Sequence, residues 1–127
     1  MIALDASVLI AHLNPRDVHH QLATGLLADA SPGPMLVHTL TLAEVLVGGV
    51  RVGRGVLMRD DLRAAGVDVA RHDADEALRL AELRATTGLK LPDCCVLHVA
   101  AHHRGSLATF DDPLAAAARQ RDIVVLP

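Results

Sequence analysis

Residues 2–10 read Ile2-Ala3-Leu4-Asp5-Ala6-Ser7-Val8-Leu9-Ile10. A short apolar run stops at a carboxylate, and a second apolar patch follows almost at once. A buried strand that ends on an acid and turns directly into a helix puts that acid at the rim of an α/β sheet, and open parallel sheets gather their ligands at the carboxyl ends of their strands. Asp ahead of an apolar periodic segment is also an ordinary helix N-cap. Taken alone, Asp5 carries both readings.

Working outward, the pattern alternates strand and helix. Ala6 to about Leu13 reads as a helix ended by Asn14-Pro15. Asp17 to Ala30 reads as a second, with Val18, Leu22, Leu26 and Leu27 on one face, broken by Ser31-Pro32-Gly33-Pro34. Met35-Leu36-Val37 is a second buried strand, followed from His38 by a helix through about Val47. Gly48-Gly49 and Gly53-x-Gly55 then flank Arg51 and Arg54, a flexible and locally basic elbow. A helix from Val56 to Ala65 and a short strand Val67-Asp68-Val69 come next. Asp73 and Glu76 have capping-box spacing ahead of a helix reaching Thr87. Pro92 suits the first position of a helix from Asp93 to His103. Ser106-Leu107-Ala108 is a strand, Asp111-Asp112-Pro113 opens a short Ala-rich helix, and Ile123-Val124-Val125 is the last strand. Strands this short and apolar cannot face water, so the pattern predicts an α/β fold with a central, mostly parallel sheet of four to five strands covered on both sides.

At 127 residues the chain fits a single domain, 1–127, with a substantial core. Hydrophobic residues make up 51% of it, which excludes a disordered chain. Phe110 is the one aromatic residue among Phe, Tyr and Trp, so the core is built from Leu, Val, Ile and Ala, which also argues against a base-stacking platform. A net charge of −3 argues against a broad basic face, although local arginines beside an acidic site remain compatible with nucleic acid. Eleven of the twelve basic residues are Arg, which suits phosphate contacts, and Lys90 is the exception. The two cysteines, Cys94 and Cys95, are neighbours, which is poor geometry for a disulfide and too few thiols for a zinc framework. With no apolar stretch of membrane-spanning length and no signal-peptide pattern, the expected location is cytoplasmic.

Four acids occupy equivalent places: Asp5 after the first strand, Glu44 beyond the second, Asp93 opening a later helix and Asp111 after the fourth strand. Each has a structural alternative. Glu44 follows Thr41 at capping-box spacing, Asp93 suits the positive end of a helix dipole, and Asp111 or Asp112 would cap the helix begun by Pro113. If the four converge, each like-charged pair costs roughly 3 kcal/mol at about 5 Å and an effective dielectric near 20. Such a cluster must take up protons or bind a cation. Oxygen ligands with no adjacent cysteine or histidine motif favour Mg²⁺ or Mn²⁺ over zinc, and a carboxylate-held Mg²⁺ with open positions suits phosphodiester hydrolysis.

In order, Ile2-Ala3-Leu4-Asp5-Ala6-Ser7, Thr41-Leu42-Ala43-Glu44, Leu91-Pro92-Asp93 and Leu107-Ala108-Thr109-Phe110-Asp111 resemble the spaced signature of PIN-domain nucleases. The small size resembles the VapC-type toxins of toxin–antitoxin pairs. The resemblance spans nearly the whole chain and implies a PIN-like three-layer α/β/α fold. It further implies Mg²⁺-dependent endoribonuclease activity with Mn²⁺ as the substitute, a cognate VapB-type antitoxin, and a homodimer. Asp5, Glu44, Asp93 and Asp111 match the family's acidic quartet, and Ser7 and Thr109 its accompanying hydroxyls. Asp112, beside Asp111, stands as a supporting acid and rival for the fourth place; Thr109-x-Asp111 fits the pattern. Cys94 and Cys95 stand where small or aliphatic residues are usual. Arg51 and Arg54 are the candidates for RNA phosphates, with plain solvation the alternative.

Other chemistries fit less well. His98 and His102 have the spacing of two zinc ligands on a helix, but Val99 occupies the position where the metalloprotease motif needs Glu, so a surface or satisfied-core role is expected. Met58 falls where a dinucleotide fingerprint would put its third glycine, and there is no nucleophile elbow. A phosphoacceptor domain would need paired acids after the first strand and a lysine after the last, and Ile123 to Pro127 carries none. The remaining rivals are a catalytically silent PIN-fold interaction module and a housekeeping PIN nuclease without an antitoxin.

Overall fold

Alternation along the strands decides the layering. Ile2 and Leu4 turn into one apolar cluster and Ala3 into the other; Met35 and Val37 face the first, Leu36 the second; Leu107 and Ala108 divide in the same way. These three strands are apolar on both faces and must be covered on both. The computed structural model describes residues 1–30 and 33–127; Ser31 and Pro32, part of the expected Ser31–Pro34 break, lie outside the described residues.

Among the described residues, five parallel strands stand in the order β3-β2-β1-β4-β5: β1 (Ile2–Leu4), β2 (Met35–Val37), β3 (Val67–Val69), β4 (Ser106–Ala108) and β5 (Val125–Leu126). β1 is central, with Ile2 opposite Met35 on one side and opposite Ser106 on the other. The chain winds outward from β1 to β3, then starts again at β4 on the other side. The order therefore reverses between β1 and β4, the switch point where such sheets bind ligands. Helices α1 (Ala6–Leu13), α2 (His20–Ala30), α3 (Thr39–Arg51) and α4 (Gly55–Ala64) supply the first apolar cluster. α6 (Leu91–His102) and α7 (Asp112–Arg119) supply the second, with Leu83 of α5 (Glu76–Thr87) packed against it.

Several boundaries differ from the sequence reading. The second helix begins at His20, not Asp17: the Asp17 carboxylate accepts the His19 N–H at 2.8 Å, a local turn that competes with the helix. Val18 is accordingly 89% exposed, and Leu22 also faces outward, while Ala23 and Leu27 carry the buried stripe. α3 runs through to Arg51, so Gly48 and Gly49 lie inside a helix and the expected elbow shrinks to residues 52–54. Packing explains Gly49: a Cβ there would stand 2.1 Å from the Met58 sulfur of α4. The last strand is Val125–Leu126, displaced from Ile123–Val125, because Ile123 is drawn into the second cluster.

α6 is buried without interruption from Cys94 to Ala100, hydrophobic all round because it lies across β1 and β2 and between neighbouring helices. Leu97→Ala in this helix should cost about 2–5 kcal/mol, whereas Leu78→Ala, on the exposed face of α5, should stay within about 0.5 kcal/mol of the parent. Urea denaturation of both variants checks the contrast.

Candidate active site

Asp5 ends β1 and caps α1. Its carboxylate is 7% exposed and receives three hydrogen bonds: Ala6 N–H on Oδ1 at 2.8 Å, and the Ser7 and Thr109 hydroxyls on Oδ2 at 2.8 and 2.7 Å. Both hydroxyls are held in turn. Ser7 Oγ accepts the Phe110 N–H at 3.1 Å, and Thr109 Oγ1 accepts the Asp111 N–H at 2.9 Å. The loop after β4 is thus tied to the end of β1 through two hydroxyl relays, which fix the rotamer of Asp5. An ionised carboxylate offers about four lone-pair sites, so Oδ1 keeps one free.

Asp111 is the N-cap of α7, its Oδ2 accepting the Leu114 N–H at 2.9 Å. Asp112 is exposed and opens the helix itself; the carboxylates acting on Asp93 are those of Asp111, Asp5 and Glu44, without Asp112. Glu44 sits in the second turn of α3. The Thr41–Glu44 capping box does not form, because α3 starts earlier with His38 as its N-cap, the ring Nδ1 accepting Leu40 N–H at 3.0 Å. Asp93 lies in the first turn of α6, where Pro92 and the dipole suit it. Burial pushes the Asp93 carboxyl above its usual range, and Asp111, Asp5 and Glu44 push it further, with Lys90 opposing. Three of the acids named from the sequence, Asp111, Asp5 and Glu44, therefore act on the fourth, Asp93.

Arg51 and Arg54 are both exposed. Arg51 is two helical turns along α3 from Glu44, roughly 10 Å up the same face, and Arg54 stands at the N-cap of α4. None of the four acids lines the cavity of about 570 Å³ between α4 and the β2–β3 side of the sheet.

A second polar group lies nearby that sequence reasoning missed. His38 follows β2, His72 lies between β3 and α5, Glu76 opens α5 and His98 is on α6. Glu76 Oε2 is 2.5 Å from His72 Nδ1 and 3.4 Å from His38 Nε2, and its Oε1 is 3.2 Å from His98 Nε2. The Asp73–Glu76 capping box is replaced: α5 starts at Glu76, the Asp73 carboxylate accepts from Asp75 N–H and Arg79, and Glu76 turns inward to the imidazoles. His98 is buried, and His102, on the exposed flank, lies 3.8 Å from Asp73. The His72–Glu76 spacing of four was the one local signal for this cluster; His38 and His98 come from distant segments.

The fold and this edge define an α/β protein with a hydroxyl-braced acidic rim at the switch point of its sheet. The chain belongs to the PIN domain family, a family of nucleases, which it matches over residues 2–120. Among solved structures it is similar to the toxin–antitoxin complex from Klebsiella pneumoniae, at 28% identity and a TM-score of 0.71, over 87% of this chain and 85% of that one. It is also similar to Mycobacterium tuberculosis VapC20, a sarcin–ricin loop cleaving toxin (21% identity, TM-score 0.76, 92% and 95% covered). FitAcB from Neisseria gonorrhoeae shares the fold too (21% identity, TM-score 0.72, 100% and 97% covered). No curated protein matches the sequence at a significant level. No helix among the described residues is long and apolar enough to cross a membrane.

Relief of repulsion is measurable without substrate. In chelator at neutral pH, Asp93→Asn should melt at a higher temperature than the parent, because the amide removes a charge that burial and three acids disfavour. A carboxyl raised in the folded state is stabilising when protonated, so the advantage of the variant should fade as pH falls through the range where Asp93 takes up its own proton. Calorimetry at stepped pH checks both the sign and the fading.

Proposed function

We propose that this chain, as one PIN domain over residues 1–127, is a cytoplasmic VapC-type endoribonuclease toxin that hydrolyses RNA phosphodiester bonds at the acidic edge. The observation that carries the reading is the convergence of Asp5, Glu44 and Asp111 on Asp93, which burial and those three charges hold above the ordinary carboxylate range. A surplus of hard oxygen ligands opposed by Lys90 fits a divalent cation, and the free lone pairs on Asp5 Oδ1 and on the Asp111 carboxylate leave room for one. Asp5, Glu44, Asp93 and Asp111 would hold Mg²⁺, or Mn²⁺ in its place, which when bound supplies charge neutralisation at the scissile phosphate and a more acidic water.

The chain's own residues do the positioning. Ser7 and Thr109 fix Asp5 in one orientation and tie the loop after β4 to it, and the Asp111 cap joins that loop to the start of α7. Asp93, at the start of an α6 whose next seven residues are buried, holds its carboxylate in a fixed place at the edge where the attacking water would lie. The water oxygen bonds to phosphorus as the bond to the leaving ribose oxygen breaks. Arg51 and Arg54 contact phosphates along the strand beyond Glu44. Exposed Val47, Val50, Val56 and Leu57 on α3 and α4 suit a protein partner, either a VapB-type antitoxin or a second copy in a homodimer.

Purified, antitoxin-free protein should cleave RNA with Mg²⁺ and stop in chelator, and Asp93→Asn should fall to the chelated background. Thr109→Val, which removes a support rather than a ligand, should lose about 10- to 100-fold. Cleavage that survives both chelation and Asp93→Asn overturns the reading, and inactivity of the parent with either metal favours the silent module. In filter binding with inactive Asp93→Asn protein, Arg51→Ala and Arg54→Ala should each weaken RNA uniformly across sequences and lower the salt slope by about 1.

A further inference from the structure

The His38, His72, Glu76 and His98 cluster lies on the same carboxyl edge as the quartet but shares no residue with it. Among the described residues, His38, His72 and Glu76 form a trio whose ligand atoms all lie within 4.8 Å of one another; the four acids form no such group. His38 is 7% exposed, and its Nε2 is buried with no hydrogen-bond partner. Because Nδ1 accepts the Leu40 N–H, the ring proton sits on that Nε2, aimed at Glu76 Oε2 from 3.4 Å and outside hydrogen-bond geometry. A buried polar atom left in this state calls for an explanation.

We propose that His38 Nε2, His72 Nδ1 and Glu76 Oε2 form a second metal site, suited to a borderline transition-metal ion, Zn²⁺ before others, and chemically separate from the oxygen-only quartet. Two imidazoles and one carboxylate are a donor set for zinc, whereas Mg²⁺ requires oxygen. Around a tetrahedral ion bound at about 2.0–2.1 Å, neighbouring ligand atoms stand roughly 3.3 Å apart. The His38–Glu76 separation already has that value; the His72–Glu76 hydrogen bond has to open by somewhat less than about 1 Å to reach it.

The surroundings hold the ligands. Thr39 Oγ1 lies 2.8 Å from His72 Nε2, the outer contact that fixes the tautomer of a metal-ligating imidazole. His98 reaches the other oxygen of Glu76 from α6 and leaves Oε2 for the ion. His38 has to give something up: coordination at Nε2 moves its proton to Nδ1 and releases the Leu40 N–H, so loading exchanges one helix cap for a metal bond. The ion would join the end of β2, the β3–α5 connection and the start of α5, a structural role beside the acidic edge.

The test uses the full chain with Asp93→Asn, which weakens the quartet and separates this site from the nuclease reading. Chelator-treated protein is titrated with Zn²⁺ by calorimetry and with Co²⁺ by visible absorption. One equivalent of Zn²⁺ per chain and a tetrahedral Co²⁺ band are expected. His72→Asn, at a half-exposed position that tolerates replacement, should weaken Zn²⁺ by more than roughly 100-fold, beyond the loss typical of outer contacts. Thr39→Val, which leaves every ligand in place, should weaken it by about 10- to 100-fold. No stoichiometric Zn²⁺ binding, or binding that His72→Asn leaves unchanged, overturns the proposal.

Discussion

Holding four like charges at one edge is the constraint on which the rest of this structure depends. At about 5 Å and an effective dielectric near 20, one carboxylate pair costs roughly 3 kcal/mol. A hydrogen bond to a charged group contributes about 1.5–3 kcal/mol. Asp5 accepts three hydrogen bonds and Asp111 accepts one, its cap on α7. Asp93 has no hydrogen bond among the influences that set its acidity, and burial first, then Asp111, Asp5 and Glu44, raise its proton affinity. The positive ends of α1, α6 and α7 all point at the same edge and lower the total further.

The core keeps that arrangement still. With Phe110 the lone large aromatic, the two layers on either side of the sheet are filled by small and aliphatic side chains, among them Leu4, Leu9 and Met35 on one face and Leu97, Leu107 and Leu114 on the other. α6 runs through the middle with seven consecutive buried residues, so Asp93 at its start has a rigid base. Phe110, next to Thr109 and with its N–H on Ser7, packs against the first cluster and stacks with His19 at 4.1 Å.

Two different donor chemistries share the carboxyl edge. The quartet is all oxygen; the histidine–glutamate group mixes nitrogen and oxygen and draws on the ends of β2 and β3. Cys95, on α6, is buried. Burial, Glu76, Cys94 and Glu44 push its thiol up to about 11, so it stays protonated and serves neither as nucleophile nor as a ready zinc ligand.

Short strands with apolar residues on both faces, and acids placed just after them, are local patterns, and the sequence by itself determined the alternating α/β order and the four acidic positions. Asp5 carried both a cap reading and a site reading from the start, and its geometry shows the two are compatible, since the Ala6 contact leaves Oδ1 a free lone pair. What needed the tertiary structure was competition between local signals and distant partners. Asp17 and Asp73 looked like helix starts, yet their carboxylates close turns instead; Gly48 and Gly49 looked like a hinge, yet Gly49 is small because Met58 presses on it. The pairing of Glu76 with His38 and His98 joins segments 38 and 22 residues apart, and no periodicity records such a contact. Spacing along the chain reports what one helix or strand can do alone, and only packing decides which side chains from different elements share a site.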